Sequence, residues 1–90
     1  MIIKGNKLKK FDLDLSLLLA IVRKECLENN ICIDFSQICY VPGIIGMTMK
    51  DSNYVVYEVD EIGAVNPVLT TKNESEACLA VLNSLGIVFD

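Results

Sequence analysis

Residues 44–70 decide the fold, and they read "IIGMTMKDSNYVVYEVDEIGAVNPVLT". Two short polar turns, Asp51–Asn53 and Asp60–Gly63, separate three runs rich in β-branched, aromatic and other apolar residues. Such runs favour strands, and turns this short join neighbouring strands as antiparallel hairpins. Pro67 has no N–H to donate to a ladder, so the third run is predicted to lie at a sheet edge. The stretch therefore predicts a three-stranded antiparallel meander.

Two helices are predicted on either side of this meander, over residues 13–29 and 74–85. Both segments repeat apolar residues at helical spacing, namely Leu15, Leu18, Leu19, Val22 and Cys26 in the first, and Cys78, Val81, Leu82 and Leu85 in the second. Asp12 or Asp14 is suited to cap the first helix, and Asn73 with Glu76 three residues later resembles a capping box. Gly86 is suited to end the second helix.

The order helix, three strands, helix predicts a single α+β domain over residues 1–90, with a two-layer αβββα architecture. Residues 1–11 are compatible with a short strand or an irregular basic arm, and residues 31–43 are predicted to be a connection. The odd-numbered face of the first two strands is the more apolar, so both helices are expected to cover it. The other face is then expected to be exposed, as a candidate binding surface that presents Thr48, Lys50, Tyr54, Val56, Glu58 and Asp60.

The charge of the chain is unevenly distributed. Residues 25–90 contain two lysines and ten acidic residues, whereas residues 1–24 contain six basic and two acidic residues. A negative field over most of the domain repels nucleic acid and anionic membranes and attracts basic partners, although a modest negative charge also serves solubility alone. No apolar run approaches the roughly 18 residues of a membrane span, and no signal peptide is recognisable, so a cytoplasmic protein is predicted.

The sequence lacks the usual combinations of catalytic residues. There is no histidine, and the four cysteines, Cys26, Cys32, Cys39 and Cys78, form no C-x-x-C pair. Cysteine without histidine lacks its common base, and no glycine-rich phosphate loop is present. In a cytosolic chain such cysteines are most often reduced core residues, the alternatives being two disulfides or a four-cysteine metal site. We therefore expect no enzyme activity, no cofactor and no metal.

The C-terminal half resembles a group of small bacterial immunity proteins, which protect cells against polymorphic toxins. The matching features occur in the same order along the chain: Tyr54, Val56–Tyr57, Asp60–Glu61, Gly63 and Glu74–Cys78. The resemblance implies a stoichiometric inhibitor that binds a cognate toxin domain, without turnover, in the cytosol. Many such toxins act on nucleic acid and are basic, so an acidic domain would be attracted to them.

On this reading the candidate partner-binding residues lie on and around the second strand. They are Asp51, Tyr54, Val56, Glu58, Asp60 and Glu61, with the carboxylates pairing with basic toxin side chains and Tyr54 serving as a flat anchor. The ordinary alternative is that these residues form a solvated end of the sheet. The alternative function is a small non-catalytic adaptor or regulatory domain that binds another protein or self-associates through its sheet.

Overall fold

The computed structural model describes the backbone of residues 2–3 and 13–89, and the side chains of residues 13–87. Two α-helices and six strands occur in this part of the chain, in the following order: β1 (Ile2–Ile3), α1 (Leu15–Lys24), β2 (Ile31–Ile33), β3 (Ile45–Lys50), β4 (Asn53–Val59), β5 (Val65–Thr71), α2 (Glu74–Ser84) and β6 (Val88–Phe89). A short 3₁₀ helix, Glu28–Asn30, lies between α1 and β2. The protein is an α+β domain, as predicted. Apart from β1, which pairs in parallel with β6, the expectation for residues 1–11 lies outside the described residues.

The main sheet has four strands in the order β2-β3-β4-β5, and it is mixed rather than purely antiparallel. The predicted meander is present as β3, β4 and β5, with β5 at an edge. The prediction that residues 31–43 form only a connection is wrong, because Ile31–Ile33 forms β2 and pairs in parallel with β3. Parallel neighbours need a crossover between them. Residues 34–44 provide it, and we call this segment the crossover loop.

The register of the β3–β4 hairpin differs from the one assumed in the sequence analysis. Asp51 and Ser52 form a two-residue turn in which both φ angles are positive, at 52° and 67°. Lys50 therefore pairs with Asn53 and Met47 with Val56, so odd-numbered residues of β3 share a face with even-numbered residues of β4. Ile45, Met47 and Val56 are buried in the core beneath the two helices. The expectation that Val56, Tyr54 and Thr48 lie on one uncovered face is wrong.

The face opposite the helices is covered by the crossover loop. Tyr57 pairs with Gly46 across the strands, and its ring lies over the glycine. The backbone N–H of Cys39, in the loop, donates to the Tyr57 hydroxyl at 2.9 Å. Tyr57, Val59 and Thr48 on this face are all buried, with Tyr57 fully so. Because both faces are covered, the sheet has no open face of the kind predicted.

Both helices end in the same way. Two successive N–H groups donate to carbonyls three and five residues earlier, and the first of the two residues has a left-handed backbone conformation. In α2 the N–H groups of Gly86 and Ile87 donate to the Asn83 and Leu82 carbonyls, and Gly86 has φ +83°, as predicted for a helix-ending glycine. In α1 the corresponding left-handed residue is Cys26, with φ 58°. The helix therefore ends at Lys24, and the predicted extension to residue 29 is wrong.

The start of α1 is held by α2. Asp14 caps α1 by accepting a hydrogen bond from the Leu17 N–H at 2.8 Å, while the Leu15 N–H donates to Glu74 Oε2 at 2.9 Å. The other oxygen of Glu74 accepts from the Tyr54 hydroxyl at 3.1 Å. One carboxylate thus joins α1, α2 and β4, using an N–H that a helix leaves without an internal partner.

Candidate protein-binding surface

The predicted partner-binding residues lie at two ends of the sheet. Asp51 is in the β3–β4 turn, whereas Asp60 and Glu61 are in the β4–β5 turn, with the seven residues of β4 between the turns. A strand rises about 3.3 Å per residue, so the two ends are about 20 Å apart. The six residues therefore do not form one compact site.

Tyr54 and Val56 face the helices. Val56 is fully buried and is unavailable to a partner of the folded domain. Tyr54 is half-buried, its ring makes an edge contact with Phe35 at a centroid distance of 6.0 Å, and its hydroxyl donates to Glu74. That hydrogen bond to a carboxylate raises the pKa of Tyr54 above its usual value, with smaller contributions from burial and from the Glu74 charge. The side chain thus has a structural role in the fold.

Asp60 organises the β4–β5 turn. Its Oδ1 atom accepts hydrogen bonds from the N–H groups of Ala64 at 2.9 Å and Ile62 at 3.0 Å. These contacts, led by the one from Ala64, lower the pKa of Asp60. Gly63 adopts φ +85° in the same turn, as the sequence predicts. The carboxylate of Asp60 is therefore committed to the turn, although its side chain is exposed.

Glu58 and Glu61 are the acidic residues at this end whose carboxylates have no hydrogen-bond or ion-pair partner in the described part of the chain. Glu58 shares a face with Ile45 and so lies on the helix side of the sheet. Glu61 projects from the turn itself. Both side chains are exposed and accessible to another molecule.

Three exposed apolar side chains lie in and beside the turn that carries Glu61. Ile62 is 89% exposed, Tyr40 65% and Val41 54%. The crossover loop meets the β4–β5 turn here, since a Cβ atom on Gly63 would lie 3.6 Å from the Tyr40 carbonyl oxygen. We call Tyr40, Val41, Glu61 and Ile62 the loop patch. Ile62 was not among the predicted partner-binding residues, although an isoleucine at a turn between acidic residues and glycine is a recognisable signal.

A shallow depression of about 480 Å³ adjoins the loop patch and is lined by Gly43, Val59, Asp60, Glu61 and Ile62. Its neighbourhood is held by the backbone, because the Gly43 N–H donates to the Val59 carbonyl and the Val59 N–H donates to the Ile44 carbonyl, each at 2.9 Å. The patch therefore projects from two loops that are fixed to the end of β4.

A second concavity of about 360 Å³ lies between α1 and β2. Leu19, Val22, Ile31 and Ile33 make it apolar, and Arg23 and Glu28 also line it. One positive and one negative side chain give this groove no net charge of its own. The loop patch, in contrast, contains Glu61 and adjoins Asp60, so it fits the charge-based expectation from the sequence.

The cysteines differ in their surroundings. Cys78 is fully buried, and burial, helped by the charges of Glu74 and Asp14, raises its pKa to about 12. This thiol fits the predicted role of a reduced core residue. Cys26 is exposed, and Cys32 and Cys39 are partly buried. Within the described residues, no three histidine, cysteine or acidic side chains are arranged to hold a metal ion.

Neither described helix combines the length and hydropathy that are needed to cross a membrane. No protein-family model, curated protein or solved structure matches this chain. The resemblance to immunity proteins therefore stays a prediction from the sequence, and the function has to be argued from the surface itself.

Proposed function

We propose that this protein is a cytoplasmic immunity protein that binds and neutralises a basic bacterial toxin domain, with the loop patch as its contact surface. The observation that carries the proposal is the exposure of Ile62, Tyr40 and Val41 beside Glu61, whose carboxylate has no partner among the described residues. An apolar centre with a charged rim is the usual composition of a protein–protein interface.

The energetics favour a protein partner. Burying a side chain such as Ile62, which the fold leaves in water, contributes about 1.5–3 kcal/mol. Tyrosine adds a large and rather rigid contact area, and aromatic residues are common among the few that dominate binding. The carboxylates contribute mainly to the rate of association and to the choice of a basic partner.

A polyanionic ligand is disfavoured by the same charges. Residues 25–90 contain only Lys50 and Lys72 against ten acidic side chains, and the first turn of α2 carries Glu74 and Glu76. Proteins that bind nucleic acid neutralise phosphates with lysine and arginine. We therefore propose no nucleic-acid partner for this surface.

The direct test is coexpression of this chain with the toxin domain encoded by the neighbouring gene. If the proposal is correct, cells survive only when the chain is present, and the purified proteins form a 1:1 complex by calorimetry. The proposal fails if the two proteins do not bind and the cells die in both cases.

Replacing Ile62 by serine is expected to weaken toxin binding by about tenfold or more, because it removes the most exposed apolar contact of the loop patch. Val68→Ser is the matched control, since Val68 is also an exposed aliphatic residue, 45% accessible, but lies on the edge strand β5. Calorimetry measures the toxin affinity of both variants, and only Ile62→Ser is expected to weaken it. Weakening by Val68→Ser alone would favour the adaptor alternative, in which a partner or a second copy binds at the sheet edge.

Glu61→Gln is expected to slow association with a basic toxin about twofold at low salt, because it removes one charge from the loop patch. Asp51→Asn makes the same change of charge at the opposite end of the sheet and should have a smaller effect. Stopped-flow rates at several salt concentrations test this difference. Equal slowing by both variants would mean that only the net charge matters and that the patch does not direct the encounter.

A further inference from the structure

Cys32 and Cys39 meet beside the hydroxyl group of Tyr57. Cys32, in β2, is level with Gly46 in β3, and Gly46 is in turn the partner of Tyr57 in β4. The Tyr57 ring lies over Gly46, so its outer end reaches toward β2. Cys39 comes to the same place from the crossover loop, where its N–H donates to the Tyr57 hydroxyl at 2.9 Å.

The two cysteines lie close enough to influence each other. Burial raises the pKa of Cys32, and the neighbouring Cys39 raises it further. Both residues are partly exposed, unlike the fully buried Cys78. The pair is therefore both close together and within reach of a small oxidant, and neither thiol has a part in the proposed binding surface.

We propose that Cys32 and Cys39 form a disulfide under oxidising conditions, and that this bond fixes the crossover loop to β2. The loop carries Tyr40 and Val41, so the bond would hold half of the loop patch in place. This consequence for binding rests on the proposed function, whereas formation of the disulfide does not.

The reaction needs a disulfide oxidant such as oxidised glutathione. The thiolate of one cysteine attacks a sulfur of the oxidant, breaks its S–S bond and releases one glutathione thiolate. The thiolate of the second cysteine then attacks the protein sulfur of the mixed disulfide and releases the second glutathione thiolate. The two protons lost by the cysteines are taken up by the two glutathione thiolates, and the two electrons reduce the oxidant.

The test uses the purified full-length protein with oxidised glutathione as the probe. After the remaining thiols are blocked, cleavage at Asp34 should leave fragments that contain Cys32 and Cys39 joined until a reductant is added. Cys32→Ser and Cys39→Ser should each abolish the link, and Cys26→Ser should leave it intact. If glutathione attaches only to Cys26, or if Cys26 is the residue that is linked, the proposal is overturned.

Thermal unfolding gives a second readout. A short loop closed by an unstrained disulfide should raise the unfolding midpoint by about 10–20 °C, and the rise should be absent in Cys39→Ser and in Cys39→Ala. A link that lowers the midpoint would show that the native loop has to distort to form it, and would also overturn the proposal.

The two proposals fail in different ways. A preorganised loop should bind the toxin domain several-fold more tightly after oxidation, because less freedom is lost on binding. If the disulfide forms and no toxin binds in either redox state, the proposed function is wrong and the thiol pair stands. If the reduced protein binds the toxin and no disulfide forms, the proposed function stands and the disulfide proposal is wrong.

Discussion

Gly46→Ala is expected to destabilise the protein by about 3 kcal/mol, the upper end of the usual cost of overpacking a core. A Cβ atom at residue 46 would lie 2.0 Å from Cζ of Tyr57 and 2.4 Å from its hydroxyl oxygen. The ring has no easy way to move, because Tyr57 is fully buried and its hydroxyl accepts the Cys39 N–H. The Tyr57 ring could move away from the new Cβ atom only if the crossover loop moved as well.

Urea unfolding followed by circular dichroism measures this loss, and two further variants show its origin. Gly43→Ala introduces a Cβ with nothing within 4 Å but at φ +85°, so it should cost only about 1 kcal/mol, from backbone strain. In a Tyr57→Leu background, Gly46→Ala should cost much less than in the native chain. Additive costs in the double variant would contradict the steric explanation.

Glu74→Gln is expected to destabilise the protein by about 2 kcal/mol, because it replaces two charge-assisted hydrogen bonds in a partly buried junction by weaker neutral ones. The two carboxylate oxygens accept from the Leu15 N–H and from the Tyr54 hydroxyl. The amide of glutamine has one oxygen and one NH₂ group, so the oxygen can keep the Leu15 N–H only if the Tyr54 hydroxyl turns to accept from the NH₂ group. The start of α1 should loosen in consequence.

Glu76→Gln is the matched control, since Glu76 is in the same first turn of α2 and its side chain accepts only from the exposed Thr71 hydroxyl. Both variants remove one negative charge from the same helix end, so a shared dipole effect cancels between them. Urea unfolding should show a much smaller loss for Glu76→Gln. In a Tyr54→Phe background the cost of Glu74→Gln should fall. Equal losses for the two glutamine variants would show that only the helix dipole is involved.

The elements with strong local signals could be predicted from the sequence. The meander, its edge strand with Pro67, the Asn73 cap and the Gly86 helix end follow from turn residues, capping residues and periodicity, and the structure confirms them. Strand β2, in contrast, depends on a contact far along the chain. The three residues of β2 are too few for a periodic pattern, and their partner β3 lies beyond an eleven-residue crossover loop, from 34 to 44.

The wrong prediction of which β4 side chains face the helices follows from the register of the β3–β4 hairpin. A two-residue turn at Asp51–Ser52 makes Lys50 and Asn53 partners, which places odd residues of one strand opposite even residues of the next. A shift of one residue exchanges the two faces of a strand. An assignment of odd-numbered residues of both β3 and β4 to one face places Val56 at the surface and Tyr57 beneath the helices. The structure has the reverse.

The candidate surface could be predicted in part. The acidic turn is evident in the sequence, and Glu61 lies exposed in it. The sequence does not indicate that the turn would use the carboxylate of Asp60 for itself, or that Tyr40 would come from the crossover loop to lie beside Gly63. Both depend on how two loops meet, and no local pattern encodes that contact.

The edge strand β5 limits how copies of this protein can meet. Pro67 pairs with Tyr57 close to an irregularity in the ladder between Val56 and Tyr57. A further strand laid along this edge would face a residue that has no N–H, in a stretch where the added twist interrupts regular spacing. Regular edge-to-edge growth into fibrils through β5 is therefore disfavoured in the middle of the strand.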